Sequence, residues 1–122
     1  MFEFQKLEVY KKAKSFHAEM TLFIPSIKLD RTIKDQLSRA SFSIVLNIAE
    51  GSGRFSKPDR RNFFIISRGS VFECVAILDV LSDQKSIDDK TFNSYLIKAD
   101  ELSRILYAMI KNLTWFGSTI NH

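Results

Sequence analysis

Punctuation is scarce in this chain: its 122 residues include four Gly, two Pro and one Cys. A single cysteine, Cys74, excludes an internal disulfide and with it the disulfide-stapled secreted scaffolds. So few turn-forming residues mean a few long elements, which favours helices over a many-stranded sandwich. No apolar run approaches the roughly 20 residues that a membrane helix needs, so no membrane partner is expected. The opening MFEFQKLEVYKKAK carries charge too early, and has no apolar block, for a signal peptide. These absences predict a cytoplasmic protein.

Motifs for chemistry are missing too. No Glu is followed by His three positions on, so the Glu-x-x-His pairs of a carboxylate-bridged di-metal bundle are absent. The two histidines, His17 and His122, have no partner at ligand spacing, and no zinc site is expected. Neither follows an arginine at the short spacing that a helical ribonuclease built on Arg and His would use. There is no glycine-rich phosphate loop. Cys74 falls within an apolar helical pattern, as a small core residue does. The expectation is a protein that is not an enzyme, with no catalytic residue, no metal and no cofactor.

What is present is a single domain over residues 1–122, with 45% hydrophobic and 26% charged residues and 11 Phe. A chain of this length buries roughly two-thirds of its unfolded surface. Apolar residues recur at helical spacing in four segments. Leu7, Tyr10, Ala13, Phe16 or His17, Met20 and Phe23 mark the first, which Pro25-Ser26 ends. Asp30 caps the second, which runs through Ile33, Leu37, Ala40, Ile44 and Ile48. Gly51 and Gly53 are expected to finish it in left-handed conformations. Ser56-Lys57-Pro58-Asp59 opens the third, with a capping serine, a first-turn proline and an acid facing the helix's positive end. Ser86-Ile87-Asp88-Asp89 repeats that pattern, and Gly117 reads as a stop. The predicted helices cover about 4–24, 31–51, 57–83 and 87–115. Short connections make neighbours antiparallel: an all-α, up-down-up-down four-helix bundle.

Helices two and three are too apolar for one bundle. Ile44-Val45-Leu46, Phe63-Phe64-Ile65-Ile66 and Val75-Ala76-Ile77-Leu78 each cover more than one face, and a helix that is apolar on several sides is buried on several sides. A second copy of the chain is the expected cover, giving a homo-oligomer.

Two polar features interrupt this pattern. Arg39, Ser43, Asn47 and Glu50 line one face of the second helix, and Ser70 and Glu73 form a similar pair on the third. Beside that pair, Gly69 offers room for another helix to approach, and Arg68 is adjacent. These residues read either as a ligand pocket or, by the stronger argument, as a network that sets helix register, because buried charges must be paired. The second feature is a basic junction holding Arg54, Lys57, Arg60, Arg61 and Arg68, opposed by Asp59. Residues 1–68 hold 13 Lys and Arg against 7 Asp and Glu, whereas 69–122 hold 5 against 7. A lopsided basic balance points to an anionic partner such as RNA or another nucleic acid, bound through its phosphates. Phe55, Phe63 and Phe64 lie among the charges as candidates for stacking on a base or for packing. A plain solvated charge cluster is the competing reading.

The run QLSRASFSIVLNIAEGSGR, followed by FFIISRGSVFE, resembles the signature of the small bacterial four helix bundle proteins, also called the 23S rRNA-intervening sequence protein family. Phe4, Leu7, Val9 and Ala13 and the closing leucine-rich helix fit as well, so the likeness covers almost the whole chain. It implies an antiparallel four-helix bundle that assembles into a ring, typically a homopentamer. A distantly similar accessory protein of diversity-generating retroelements implies partners such as a reverse transcriptase and nucleic acid. Motif positions fall on Arg39, Ser43, Asn47, Glu50, Gly51, Gly53, Arg54, Gly69, Ser70 and Glu73. Ser41 and Phe42 depart from the pattern, standing where alanine and a small aliphatic residue are usual, and the local packing is expected to differ there.

Overall fold

Asp30, Ser56 and Asp88 each accept a hydrogen bond from a backbone N–H in the turn that follows, and a helix begins beside each. Such a cap is worth about 1 kcal/mol. The computed structural model describes residues 1–120, with side chains through Leu113. Four α-helices make up that region: α1 (Glu8–Phe23), α2 (Arg31–Ser52), α3 (Lys57–Asp83) and α4 (Asp89–Ile120). Short 3-10 turns at Glu3–Lys6 and Ile24–Ser26 flank α1, and among the described residues there is no strand. No helix there is long and apolar enough to cross a membrane.

Side-chain pairs give the directions. His17 meets Ser41 between α1 and α2, Ser67 meets Ile44 between α2 and α3, and Arg68 meets Ser103 between α3 and α4. Lys12–Glu101 and Lys98–Glu19 close α4 back onto α1. Each helix therefore touches its two neighbours and runs antiparallel to both, which is the expected up-down-up-down order. The core lies on the axis. Phe16 and Met20, Leu37, Ile44 and Ile48, Leu78 and Leu81, and Leu102 and Leu106 are fully buried. Burying each such side chain contributes about 1.5–3 kcal/mol.

Four local expectations change. Neither Gly51 nor Gly53 is left-handed; Gly53 has φ −88° and ψ −5°. Gly51 is needed instead for close approach, because a Cβ there would sit 2.8 Å from Phe64 Cε1 and 2.9 Å from Phe63 Cβ. The fourth helix is capped by Asp88 rather than Ser86. The helical backbone of α4 carries on through Gly117 to Ile120. The first helix begins at Glu8, since Leu7 is extended (φ −69°, ψ 131°) and separates it from the 3-10 turn.

The α3–α4 connection does use a left-handed residue, and it is Lys85, at φ 59°. Ser86 N–H donates to Leu81 O at 2.9 Å and Lys85 N–H to Ser82 O at 3.0 Å. This is the double hydrogen bond of a Schellman end, with lysine in the place that glycine usually takes.

Candidate nucleic-acid interface

The basic junction is a short turn pinned from both sides. Gly53 N–H donates to Glu50 O at 3.1 Å and Arg54 N–H to Gly51 O at 3.2 Å, carrying the end of α2 one residue beyond Gly53. Ser56 Oγ accepts from Asp59 N–H at 3.2 Å and starts α3. Arg60 then reaches back, its Nε donating to Arg54 O at 2.6 Å. Gly51 makes so tight a turn possible by letting α2 lie directly against Phe63 and Phe64.

Residues 54–61 hold four cations and one acid, Arg54, Lys57, Arg60 and Arg61 with Asp59, and Glu3 and Lys6 line the same cleft as Arg60. The first turn of α3 adds the positive end of its helix dipole. The Arg54 guanidinium lies over the Phe63 ring, 4.6 Å from its centroid. Phe64 is in the core, whereas Phe55 is fully exposed. A cleft of about 470 Å³ opens alongside, lined by Phe4, Leu7, Arg60, Phe64 and Met109.

Arg68 is not part of this cluster. Seven residues beyond Arg61, or about 10 Å along the helix, its Nε donates to Ser103 O at 3.2 Å. Its guanidinium lies over Phe72 at 4.7 Å and Tyr107 at 5.4 Å. It clamps α3 to α4, so the junction holds four of the five residues grouped by sequence.

The polar seam divides similarly. Asn47 Nδ2 donates to Ser43 O at 2.9 Å and to Ser43 Oγ at 3.0 Å, and Ser70 Oγ donates to Ser43 Oγ at 2.8 Å. These three residues form a small network across α2 and α3. Two further bonds between these helices were not anticipated: Ser67, buried, donates to Ile44 O at 2.9 Å, and the Gln36 amide donates to Glu73 at 3.3 Å. Serine and glutamine on an apolar helix face were the signal that could have found them. Arg39 and Glu50 are exposed, and among the described residues neither forms an ion pair. A Cβ on Gly69 would meet nothing within 4 Å among the described residues, so none of their side chains packs there.

Beside this seam the surface is greasy. Phe42 and Leu46 on α2 are about half exposed, as are Ile65, Ile66 and Phe72 on α3. Cys74 is buried, and burial together with the charge of Glu73 pushes its thiol up to about 12. Among the described residues no three His, Cys, Asp or Glu side chains converge as a metal site. His17 lies on the α1–α2 seam, and His122 lies outside the described residues.

A family model described as 23S rRNA-intervening sequence protein matches residues 5–108. The chain belongs to that family. Its fold is shared by the crystal structure of a protein of unknown function from the S23 ribosomal protein family of Bacteroides thetaiotaomicron. That likeness has a TM-score of 0.81 at 22% identity and covers 84% of this chain and 98% of that one. No curated protein matches the chain. Neither the family's description nor that of the solved neighbour indicates an enzyme.

Proposed function

We propose that this member of the 23S rRNA-intervening sequence protein family is a non-enzymatic, cytoplasmic RNA-binding subunit that acts as a homo-oligomeric ring. The observation that carries the reading is the gathering of Arg54, Lys57, Arg60 and Arg61 on the α2–α3 turn, at one end of the bundle. Contacts of this kind go to phosphates and are salt-sensitive. Four per subunit on a single strand imply that log K falls by about 3 for each tenfold rise in salt. Assembly would repeat the turn around a ring and add weak contacts through multivalency.

Support for assembly comes from the exposed apolar residues of α2 and α3. The register set by Ser67–Ile44 and Ser70–Ser43 brings Leu46 level with Ile66, with Glu50 one turn further along α2 and Arg39 two turns back, charges that a neighbouring subunit can complement. The family resemblance sets the expected subunit number at five.

The test is fluorescence anisotropy with labelled RNA across a salt series, on the wild type and on Lys57→Glu/Arg61→Glu. Arg60 is left in place because it braces the turn. The variant should keep its mass by light scattering, lose most of its affinity and show about half the salt slope. Unchanged binding rejects the assignment.

A groove of about 510 Å³ between α3 and α4, lined by Phe72, Val75, Leu96 and Ile97, favours a second reading. On that reading the oligomer is a scaffold for a protein such as a reverse transcriptase and makes no nucleic-acid contact of its own. RNA retention at physiological salt would count against it.

A further inference from the structure

Phosphate contacts alone give no preference for a single strand, whose charge is less dense than a duplex's. Phe55 adds a different chemistry to the same turn. Its ring is fully exposed, at 101%, while Phe63 is covered by Arg54 and Phe64 is in the core. An aromatic side chain left wholly in water gains nothing for the fold. Yet the chain on either side of it is held firmly. The N–H of Arg54 is bonded to Gly51 and its carbonyl to Arg60, and Ser56 caps α3. The ring thus stands between two anchored residues, with much of the ordering cost of a binding platform already met. On either side lie Arg54 and Lys57, with Arg60 and Arg61 one helical turn further on.

From this arrangement we infer that Phe55 is a stacking platform for an unpaired base, so that the basic turn takes single-stranded nucleic acid in preference to duplex. The inference rests on the turn being the nucleic-acid contact. Every base has a π-face that an aromatic ring can cover, so the stacking tolerates any sequence. In a duplex both faces of each base are already covered by its neighbours, and Phe55 has nothing to stack on. The cations serve either form by holding phosphates, but the ring serves only the open one. A docked protein would not need four cations around the ring, whereas a polyanion with exposed bases matches both halves of the site.

Anisotropy would compare a labelled oligouridylate of about twelve nucleotides, within the usual single-strand site size, with an RNA duplex carrying the same number of phosphates, on the full chain. Wild type should bind the single strand more tightly. Phe55→Ala should weaken that binding roughly tenfold, leaving duplex affinity and salt slope unchanged. Phe55→Trp should restore it. Equal loss on both ligands, or no loss on either, overturns the stacking role while leaving the phosphate contact standing. If neither ligand binds wild type and Lys57→Glu/Arg61→Glu changes nothing, the contact itself fails and the stacking role goes with it.

Discussion

The His17 imidazole and the Ser41 hydroxyl lie 2.8 Å apart, joining α1 to α2 from positions 24 residues apart in the chain. Ser41 is completely buried, and its hydroxyl lies between Nδ1 of His17 and the carbonyl of Ser38, which is 3.1 Å away. The neighbouring Phe42 ring stacks on the imidazole at 5.1 Å. Ser41 and Phe42, the two residues expected to depart from the family pattern, are thus both contacts of one histidine.

That arrangement predicts a pH dependence. Burial holds the His17 imidazole below its ordinary value of 6.5. The unfolded chain therefore takes up a proton at a higher pH than the folded one, and stability rises with pH across that window. The contribution is complete above 6.5 and is lost as the pH falls towards the folded value. Urea midpoints measured at several pH values should fall more steeply below 6.5 for wild type than for His17→Gln. Parallel curves would show that the imidazole is not the titrating group.

Gly51 and Gly69 should respond oppositely to alanine. At Gly51 the new methyl would press on Phe63 Cβ, a side-chain root that cannot swing away. Overpacking of this kind costs about 1–3 kcal/mol. At Gly69 the methyl meets open space in mid-helix, where alanine is better than glycine by about 0.5–1 kcal/mol. Denaturant unfolding of both variants checks this. A loss of stability or of assembly for Gly69→Ala would instead place a second copy's helix against that position.

Lys85 is the third test. Its left-handed backbone suits glycine, which carries no Cβ to clash with the carbonyl. Lys85→Gly should stabilise the fold by up to about 1 kcal/mol once the greater freedom of the unfolded glycine is set against the relief, and so raise the thermal midpoint. A lower midpoint would mean that the lysine side chain holds the turn by contacts that outweigh its backbone strain.

Most of the fold was legible because the signals were local. Asp30, Ser56 and the acids near Asp88 lie next to the N–H groups they cap, and the apolar repeat matches the helical period. The candidate site was legible in part. Arg54, Lys57, Arg60 and Arg61 are close enough in sequence to share one turn wherever the helices go. Arg68 looked like their companion, and nothing local says that α4 will bring it Ser103 and Tyr107.

The amino-acid sequence by itself determined four helices, their order, an excess of apolar faces and a basic turn, because caps, periodicity and charge act over a few residues. Tertiary structure decided which side chains meet across seams of 20 residues and more. It paired His17 with Ser41, drew Arg68 away to α4, made Gly51 a contact rather than a bend and left Phe55 alone in solvent. Those outcomes depend on how helices pack against one another, and no short stretch of chain encodes that geometry.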